Sequence, residues 1–298
     1  MAQSAAVATA RANRRGEAFS WACIAPLVLV LGPFFLAPLL AVIAASVFQT
    51  DGFGGMTPAF DLSSYREILT SGLTFNLYWE TVKFTVLTWF FSLVIGFFVA
   101  YFLVFHVRNR LLGLGLFLLC TIPFWTSNII RMISWIPLLG KQGLINTALL
   151  ETGLIHEPLE FLLFSSFAVV VAYVHQLTIF MIVPIFNSMG RIDKALVEAA
   201  VDAGASRFDV MRLIILPLSK SGIALGSIFV VSIVMGDFFV VKVMSGGGSA
   251  SVVGAFYEDV GVLQYPKAAA SAVLLTVVLM VAVALILRTV DIRKEITR

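Results

Sequence analysis

Long uncharged stretches, separated by short charged segments, form the dominant pattern along this chain. A helix needs roughly 20 mainly apolar residues to cross the hydrocarbon layer of a bilayer. The fifth such stretch is unusual because it contains an ionisable residue, Asp237. Together the stretches predict an all-α integral membrane protein with six transmembrane helices, so that both termini lie on one side. The predicted spans are 18–48, 82–106, 111–131, 161–186, 220–242 and 267–288.

Lys and Arg residues are distributed unevenly between the connecting segments. Short cytoplasmic loops carry an excess of these residues, and most of the twenty basic residues fall on the side that holds the termini. We therefore expect both termini to be cytoplasmic. Residues 1–17 are rich in Ala and Arg with little to bury, which predicts a disordered cytoplasmic tail. Residues 18–298 are expected to form one transmembrane domain.

Composition excludes most other protein classes. Hydrophobic residues make up 60% of the chain and charged residues only 12%, against about 25% charged in soluble domains. A net charge of +3 is too small to argue for nucleic-acid binding. Cys23 and Cys120 lie in apolar runs without a second Cys or a His at metal-ligand spacing, so we expect no metal site.

A cytoplasmic loop at 187–220 carries the most informative pattern. Residues 195–203 are strong helix formers, and Gly204 is placed to end that helix in a left-handed turn. Ser206, with Asp209 three residues on, predicts the capping box of a second helix. Pro217 predicts a break or bend before the next span. The loop is therefore expected to be a helix-turn-helix element.

The surface of the first loop helix has two interpretations from pattern alone. The small and apolar residues exposed outside the bilayer suit a ridge that docks into a groove of another protein. The other interpretation is a helix that lies on the membrane surface or on its own bundle. The residues concerned are Leu196, Ala199, Ala200 and Ala203.

The spacing of the loop resembles the EAA-loop signature of bacterial ABC importer permeases. The matching positions are Glu198, Ala199, Ala200, Gly204, Ile214, Leu216 and Pro217. The resemblance implies a type I importer permease of MetI-like architecture in the bacterial inner membrane. It also implies that these residues couple the permease to ATP hydrolysis, because in that family the loop sits in a cleft of the cytoplasmic ATPase.

The partners follow from the same resemblance. It implies a cytoplasmic dimer of ABC ATPases, a second permease that is a related but different chain, and an outer solute-binding protein. The chain itself contains no phosphate-binding loop of the G-x-x-x-x-G-K-[ST] type and no set of nucleophile, base and orienting residue. We expect no enzymatic activity, catalytic residue or cofactor in this chain, with ATP and Mg bound by the ATPase subunits.

A looser resemblance indicates the solute. Pro123-Phe-Trp-Thr-Ser, Arg131, Trp135 and the Gly143-Leu-Ile-Asn146 segment are similar to the spermidine/putrescine-type permeases, as is Gly236-Asp237-Phe238. This implies uptake of a polyamine. Lys242 departs from the pattern, since an uncharged residue is expected there, and it leaves open an opine, an aminophosphonate or another amino-acid-like solute.

Four residues are candidates for the solute pathway: Asp237, Trp125, Tyr173 and Asn128. An ionisable group inside a span costs roughly 2.5–3.5 kcal/mol on insertion and tends to face a cavity or a partner. Asp237 therefore either attracts an ammonium group of the solute, pairs with Lys242, or makes a polar contact within the bundle. His175 is expected to form a hydrogen bond between helices.

Two alternatives belong to other classes. A proton-driven secondary transporter would use Asp237 or His175 as a relay, but such proteins commonly carry internal repeats, and none is evident here. A membrane enzyme or scaffold would need clustered polar residues at one depth or an additional soluble domain, and the sequence indicates neither.

Overall fold

The computed structural model describes residues 24–51 and 54–289, and this part of the chain is almost wholly helical. The predicted tail at 1–17 and the start of the first predicted span lie outside the described residues. A small antiparallel hairpin pairs β1, Gln49–Thr50, with β2, Met56–Thr57. The helices are α1 Ile24–Ala45, α2 Ser63–Thr70, α3 Gly72–His106, α4 Leu111–Trp125, α5 Asn128–Ile133, α6 Ile136–Leu139, α7 Leu144–Glu151, α8 Ser166–Met189, α9 Lys194–Asp202, α10 Arg207–Leu218, α11 Lys220–Gly236, α12 Phe239–Met244, α13 Val252–Gly261 and α14 Tyr265–Arg288.

The core is formed by α8, which packs against α3 and α11. The buried face of α3 consists largely of small or hydroxyl-bearing residues, among them Thr88, Ser92, Gly96 and Ala100. Large apolar residues of the same helix, such as Phe90, point outward. This arrangement is typical of membrane bundles, where lipid solvates bulky apolar side chains and small residues let helices approach closely.

The helices at the ends of the described chain lie at the periphery. In its most apolar window α1 has no buried residue, and Phe34 is 81% exposed. α14 packs against α1, α11 and α13. Among the described helices, α1, α3, α8 and α14 are each long and apolar enough to cross a bilayer, and two bent helix pairs raise the number to six if each counts as one span.

The third predicted span, 111–131, is not one straight helix. α4 ends at Trp125, and the helical segment that begins at Asn128 leaves at 94° to it. Pro123 has no backbone N–H to donate, and Thr126 adopts an extended conformation while its hydroxyl donates to the Pro123 carbonyl at 2.9 Å. A proline in a helix removes one hydrogen bond and favours such a break.

The fifth predicted span, 220–242, is also interrupted. α11 ends at Gly236, Asp237 is extended, and α12 begins at Phe239. The expectation that Asp237 lies within a continuous helix is therefore wrong. The cause is local: the Asp237 carboxylate accepts the Val240 backbone N–H at 2.9 Å, which begins a new helix after the break.

Two other helix boundaries differ from the predicted ones because of serine caps. α3 begins at Gly72 rather than 82, since the Ser71 hydroxyl accepts the Thr74 N–H. α8 runs from Ser166 to Met189 rather than over 161–186, since Ser165 caps it by accepting the Ala168 N–H. The first turns of α3 contain polar and charged residues, so the length of the uncharged stretch did not predict that the helix begins there.

The contact between α8 and α11 depends on two glycines of α11. A Cβ atom on Gly222 would lie 2.4 Å from the Pro184 carbonyl oxygen, and one on Gly226 would lie 2.6 Å from the Met181 sulfur. Contacts that short do not occur without displacement of the backbone or of the neighbouring side chain. The glycine pair therefore sets the distance between the two helices.

Replacing Gly222 with alanine is expected to destabilise the bundle. Overpacking of this kind costs about 1–3 kcal/mol, so we expect a lower thermal unfolding temperature for Gly222→Ala in detergent. Gly115→Ala is the matched control, because a Cβ atom there has no heavy atom within 4 Å. Equal unfolding temperatures for the two variants would contradict the proposed close packing.

Candidate coupling loop and solute pathway

The loop between α8 and α11 folds as the helix-turn-helix element that the sequence predicts. The Asp193 carboxylate caps α9 by accepting the Ala195 N–H at 2.9 Å. Gly204 follows the helix with φ +87°, a left-handed conformation that residues with a Cβ atom rarely adopt. Gly204 therefore ends α9 in the left-handed turn that the sequence predicts.

The second helix of the loop begins with a complete capping box. The Asp209 N–H donates to the Ser206 hydroxyl oxygen at 3.1 Å, and the Ser206 N–H donates to the Asp209 carboxylate at 3.1 Å. Hydrogen bonds from Ser206 lower the pKa of Asp209. The ionised carboxylate makes this cap, so its contribution is present at neutral pH and is lost as the pH falls through the lowered pKa.

α10 is distorted before it meets the next span. Residues 211–215 form a π-helical turn, and α10 then meets α11 at an angle of 66°. The bend lies at Ser219, two residues beyond Pro217, and the buried Ser219 hydroxyl donates to the Ile215 carbonyl at 2.7 Å. The predicted bend before the membrane is therefore present, and its centre is slightly later than the proline.

The exposed surface of the loop differs in part from the predicted ridge. Leu196 is 47% exposed, and Ala199 and Ala203 are also exposed. Ala200 is instead partly buried and packs with Val197 against the core, so its assignment to the exposed ridge is wrong. The large exposed apolar residues that the alanine pattern did not predict are Val201 and Phe208.

The remaining motif positions lie on both sides of the loop. Glu198 is exposed and lines a groove of about 290 Å³ between α9 and the end of α3, where Tyr101, Phe105 and His106 form the other wall. Leu216 and Pro217 are exposed, whereas Ile214 is half-buried. The loop is thus anchored along one face and exposes apolar side chains on the other.

The candidate pathway residues fall into two groups on neighbouring parts of the bundle. In the first, the hydroxyl of the buried Tyr173 donates to the Asp237 carboxylate at 3.1 Å. The alternative ion pair between Asp237 and Lys242 is absent, since no residue in the described part of the chain lies within ion-pair distance of Lys242. Asp237 therefore holds the break between α11 and α12 through polar contacts within the bundle.

The second group surrounds the bend after α4. The amide oxygen of Asn128 accepts a hydrogen bond from Arg131, which is only 9% exposed. Trp125 is 83% exposed beside this pair. The Trp135 indole N–H donates to His175 Nδ1 at 3.2 Å, so His175 makes the contact between helices that was predicted.

The structure adds residues that the sequence gave no reason to single out. Tyr257 and Glu258 lie on α13 and share a cavity with Phe238 and Lys242. They belong to a short segment between two spans, without a motif, and only the return of the chain towards α12 brings them to this position. No pattern in the sequence would have found them.

Replacing Asp237 tests its role at the helix break. Asp237→Ala removes the acceptor for both the Tyr173 hydroxyl and the Val240 N–H, and buried donors left unpaired cost about 1–3 kcal/mol. We expect a lower unfolding temperature for Asp237→Ala and a smaller loss for Asp237→Asn, which retains one oxygen. Exposed Asp202→Ala serves as the control. If the alanine and asparagine variants behave alike, these hydrogen bonds do not stabilise the break.

Comparison with known proteins identifies the family. Residues 92–295 match the family model described as binding-protein-dependent transport system inner membrane component. The match includes the whole loop between α8 and α11. It therefore covers more than half of the chain and the segment on which the resemblance to importer permeases depends.

Curated relatives agree with this match. The chain is 32% identical over 248 residues to the spermidine/putrescine transport system permease protein PotB of Escherichia coli, which covers 83% of this chain and 88% of that protein. It is 31% identical over 221 residues to the PotB protein of Haemophilus influenzae, covering 74% and 76% of the two chains. The resemblance to spermidine/putrescine-type permeases is thereby confirmed.

Solved structures support the fold. A bacterial ABC transporter involved in the import of the acidic polysaccharide alginate superposes with a TM-score of 0.73 over 94% of this chain and 98% of that chain, at 16% identity. The complex of an alginate transporter with its pentasaccharide-bound periplasmic protein gives a TM-score of 0.70, at 15% identity, over 92% and 94% of the two chains. The chain belongs to the binding-protein-dependent transport system inner membrane components, the permeases of bacterial ABC importers.

Proposed function

We propose that this chain is the permease subunit of an ATP-driven importer in which separate subunits bind and hydrolyse ATP. The observation that carries the proposal is the helix-turn-helix element of α9 and α10. Its glycine turn and capping box favour a defined shape, its inner face packs on the core, and its outer face exposes Leu196, Val201 and Phe208. An apolar ridge of this kind suits a groove on a partner protein.

The proposed topology has six spans and both termini in the cytoplasm. Four straight helices supply four spans and the two bent pairs supply the other two, the second of them through α11, while α10 lies in the cytoplasmic loop. The excess of Lys and Arg on the side of the coupling loop gives the orientation. The loop then faces the cytoplasm, where ATP is available. The opposite side, with α2, α7 and α13, faces the solute-binding protein.

Coupling in this proposal is mechanical. An ATPase that binds α9 displaces α9 and α10 when it changes conformation. The displacement is transmitted to α11 through the bend at Ser219. Glu198, Ala199 and Gly204 contact the ATPase or shape the surface that does, while Ala200 and Ile214 connect that surface to the core. Leu216 and Pro217 carry the movement into the bend.

A complete pathway requires a second permease. The helices of this chain expose large apolar surfaces, especially on α1 and α3, which suit lipid or another six-helix subunit. We propose a related but different chain as that subunit, with the pathway between the two. A dimer of cytoplasmic ATPases, which hold ATP and Mg, and an outer solute-binding protein complete the importer.

The proposed solute is a small molecule that carries an amine. Polyamines are the first candidate because the relatives are named for spermidine and putrescine. An amino-acid-like solute, such as an opine or an aminophosphonate, is the second candidate, and the observation that favours it is Lys242. An unpaired ammonium group along the pathway disfavours a solute that carries only positive charges.

The coupling proposal predicts that strain at the loop turn uncouples the importer. Gly204→Val places a β-branched residue at φ +87°, which costs at least about 1–2 kcal/mol and displaces α9 relative to α10. We expect transport, and the stimulation of ATP hydrolysis by solute-loaded binding protein, to fall at least about tenfold. Hydrolysis and uptake by the purified complex in lipid measure both.

Gly153→Val provides a matched control for backbone strain. Gly153 also has a positive φ, +70°, with no atom near its Cβ position, but it lies outside the loop. Because Gly153 follows α7 on the side assigned to the binding protein, the control is measured as binding of the ATPase to the permease, which Gly153→Val should leave intact and Gly204→Val should weaken. Equal effects of the two substitutions would oppose the coupling role. If the chain recruits no ATPase and transports with a proton gradient alone, the importer proposal fails and a secondary transporter takes its place.

A further inference from the structure

A cavity of about 280 Å³ lies beside the break between α11 and α12. Its walls come from the first turns of α3, from α12, from α13 and from the connection between α12 and α13. It lies at the opposite end of α11 from the coupling loop. In the proposed topology this is the outer mouth of the pathway, where a solute arrives from the binding protein.

The cavity contains two opposite charges that do not neutralise each other. Lys242 of α12 and Glu258 of α13 both line it, yet no ion pair joins them, and neither has a hydrogen-bond or ion-pair partner in residues 24–51 and 54–289. Both side chains are exposed to the cavity and its surroundings. Their charges are therefore available to a ligand.

Within residues 24–51 and 54–289, the other lysines away from the coupling loop are paired with carboxylates. Lys141 contacts Glu160 at 2.6 Å, and Lys267 contacts Glu67 at 2.7 Å. The Lys83 ammonium lies beside Glu80 in the same way. Lys242 differs from this group because it shares its cavity with the Glu258 carboxylate without forming an ion pair with it.

An aromatic wall completes the site. Phe238 and Tyr257 stack with ring centroids 4.8 Å apart and planes inclined by 20°, and Tyr257 is 57% exposed. Phe238 follows directly after Asp237, so this wall adjoins the residue that caps α12. Aromatic faces suit the hydrocarbon part of a small polar molecule and also attract an ammonium group.

We propose that this cavity binds a small solute that carries both an acidic group and an amine. The inference rests on the proposed function and names the solute class of that importer. The carboxylate or phosphonate of the solute pairs with the Lys242 ammonium, the amine pairs with the Glu258 carboxylate, and the carbon chain lies against Phe238 and Tyr257. The volume of about 280 Å³ is just below the range of typical ligand sites, roughly 300–1,000 Å³, so the solute is small.

A diamine fits this site less well than an amino acid of the same length. One of its ammonium groups pairs with Glu258, but the other is left near Lys242, and repulsion between like charges opposes binding. The cavity therefore favours the amino-acid-like candidate over the polyamine. Putrescine and ornithine form a matched pair of probes, because they differ only by one carboxylate.

The test measures binding of radiolabelled ornithine and putrescine to the permease–ATPase complex in lipid nanodiscs, without binding protein. We expect the unmodified complex to prefer ornithine. Lys242→Gln should weaken ornithine binding about tenfold, the size of one charge-assisted hydrogen bond, without weakening putrescine binding. Glu258→Gln should weaken the binding of both.

Two further variants separate charge from folding. Lys242→Arg keeps the charge and should keep the preference, while Lys141→Gln removes a lysine that is already paired and should change neither affinity. A preference for putrescine, an absence of ornithine binding, or an unchanged ratio in Lys242→Gln overturns the inference. In each of these cases ATP hydrolysis by the recruited ATPase still supports the importer, so failure of the cavity and failure of the proposed function remain distinguishable.

Discussion

The close approach of α8 to α3 and α11 determines the rest of this structure. In a bilayer, contact between helices gains little from burial of apolar surface, because lipid solvates such surface equally well. The gain comes from packing at short distance: Gly96 and Gly226 approach α8 at Met181, and Gly222 approaches it at Pro184. The Trp89 indole adds a hydrogen bond to Ser227, which ties α3 to α11 at 2.8 Å. As a consequence, most buried residues of α3 are small or hydroxyl-bearing, while large residues such as Phe90 face outward.

Side chains stabilise the breaks in this bundle. Lipid offers no hydrogen bonds to a free backbone group, so each interruption must be satisfied within the protein. Asp237 receives the Val240 N–H after α11, Thr126 closes the turn after Pro123, and Ser219 bonds back to Ile215. Buried Asn146 does the same on both sides of α7: its amide donates to the Gly140 carbonyl before the helix and accepts the Leu159 N–H after it.

The fold was largely predictable where it depends on local chemistry. The length of the uncharged apolar stretches predicted the positions of the main helices. The turn at Gly204 and the cap formed by Ser206 and Asp209 follow from residue types at fixed spacing. The break at Asp237 was not predictable in the same way, because an acidic residue in an apolar run is equally consistent with a continuous helix. The position of Ala200 also required the structure, since a run of alanines does not reveal which face meets the core. Lys242 and Glu258 are separated in sequence by a whole connection, and only the folded chain brings them to one cavity.

The break between α11 and α12 separates positions that determine helix packing from a position that does not. α11 carries the glycines that set the distance to α8, so most substitutions there alter the packing of the whole bundle. α12 is a short helix with its own cap at Asp237, and Lys242 projects from it without a partner in the described structure. In the proposed importer, a substitution at Lys242 therefore alters the choice of solute and leaves the coupling helices unchanged. Selectivity and coupling then reside in separate short helices of one chain.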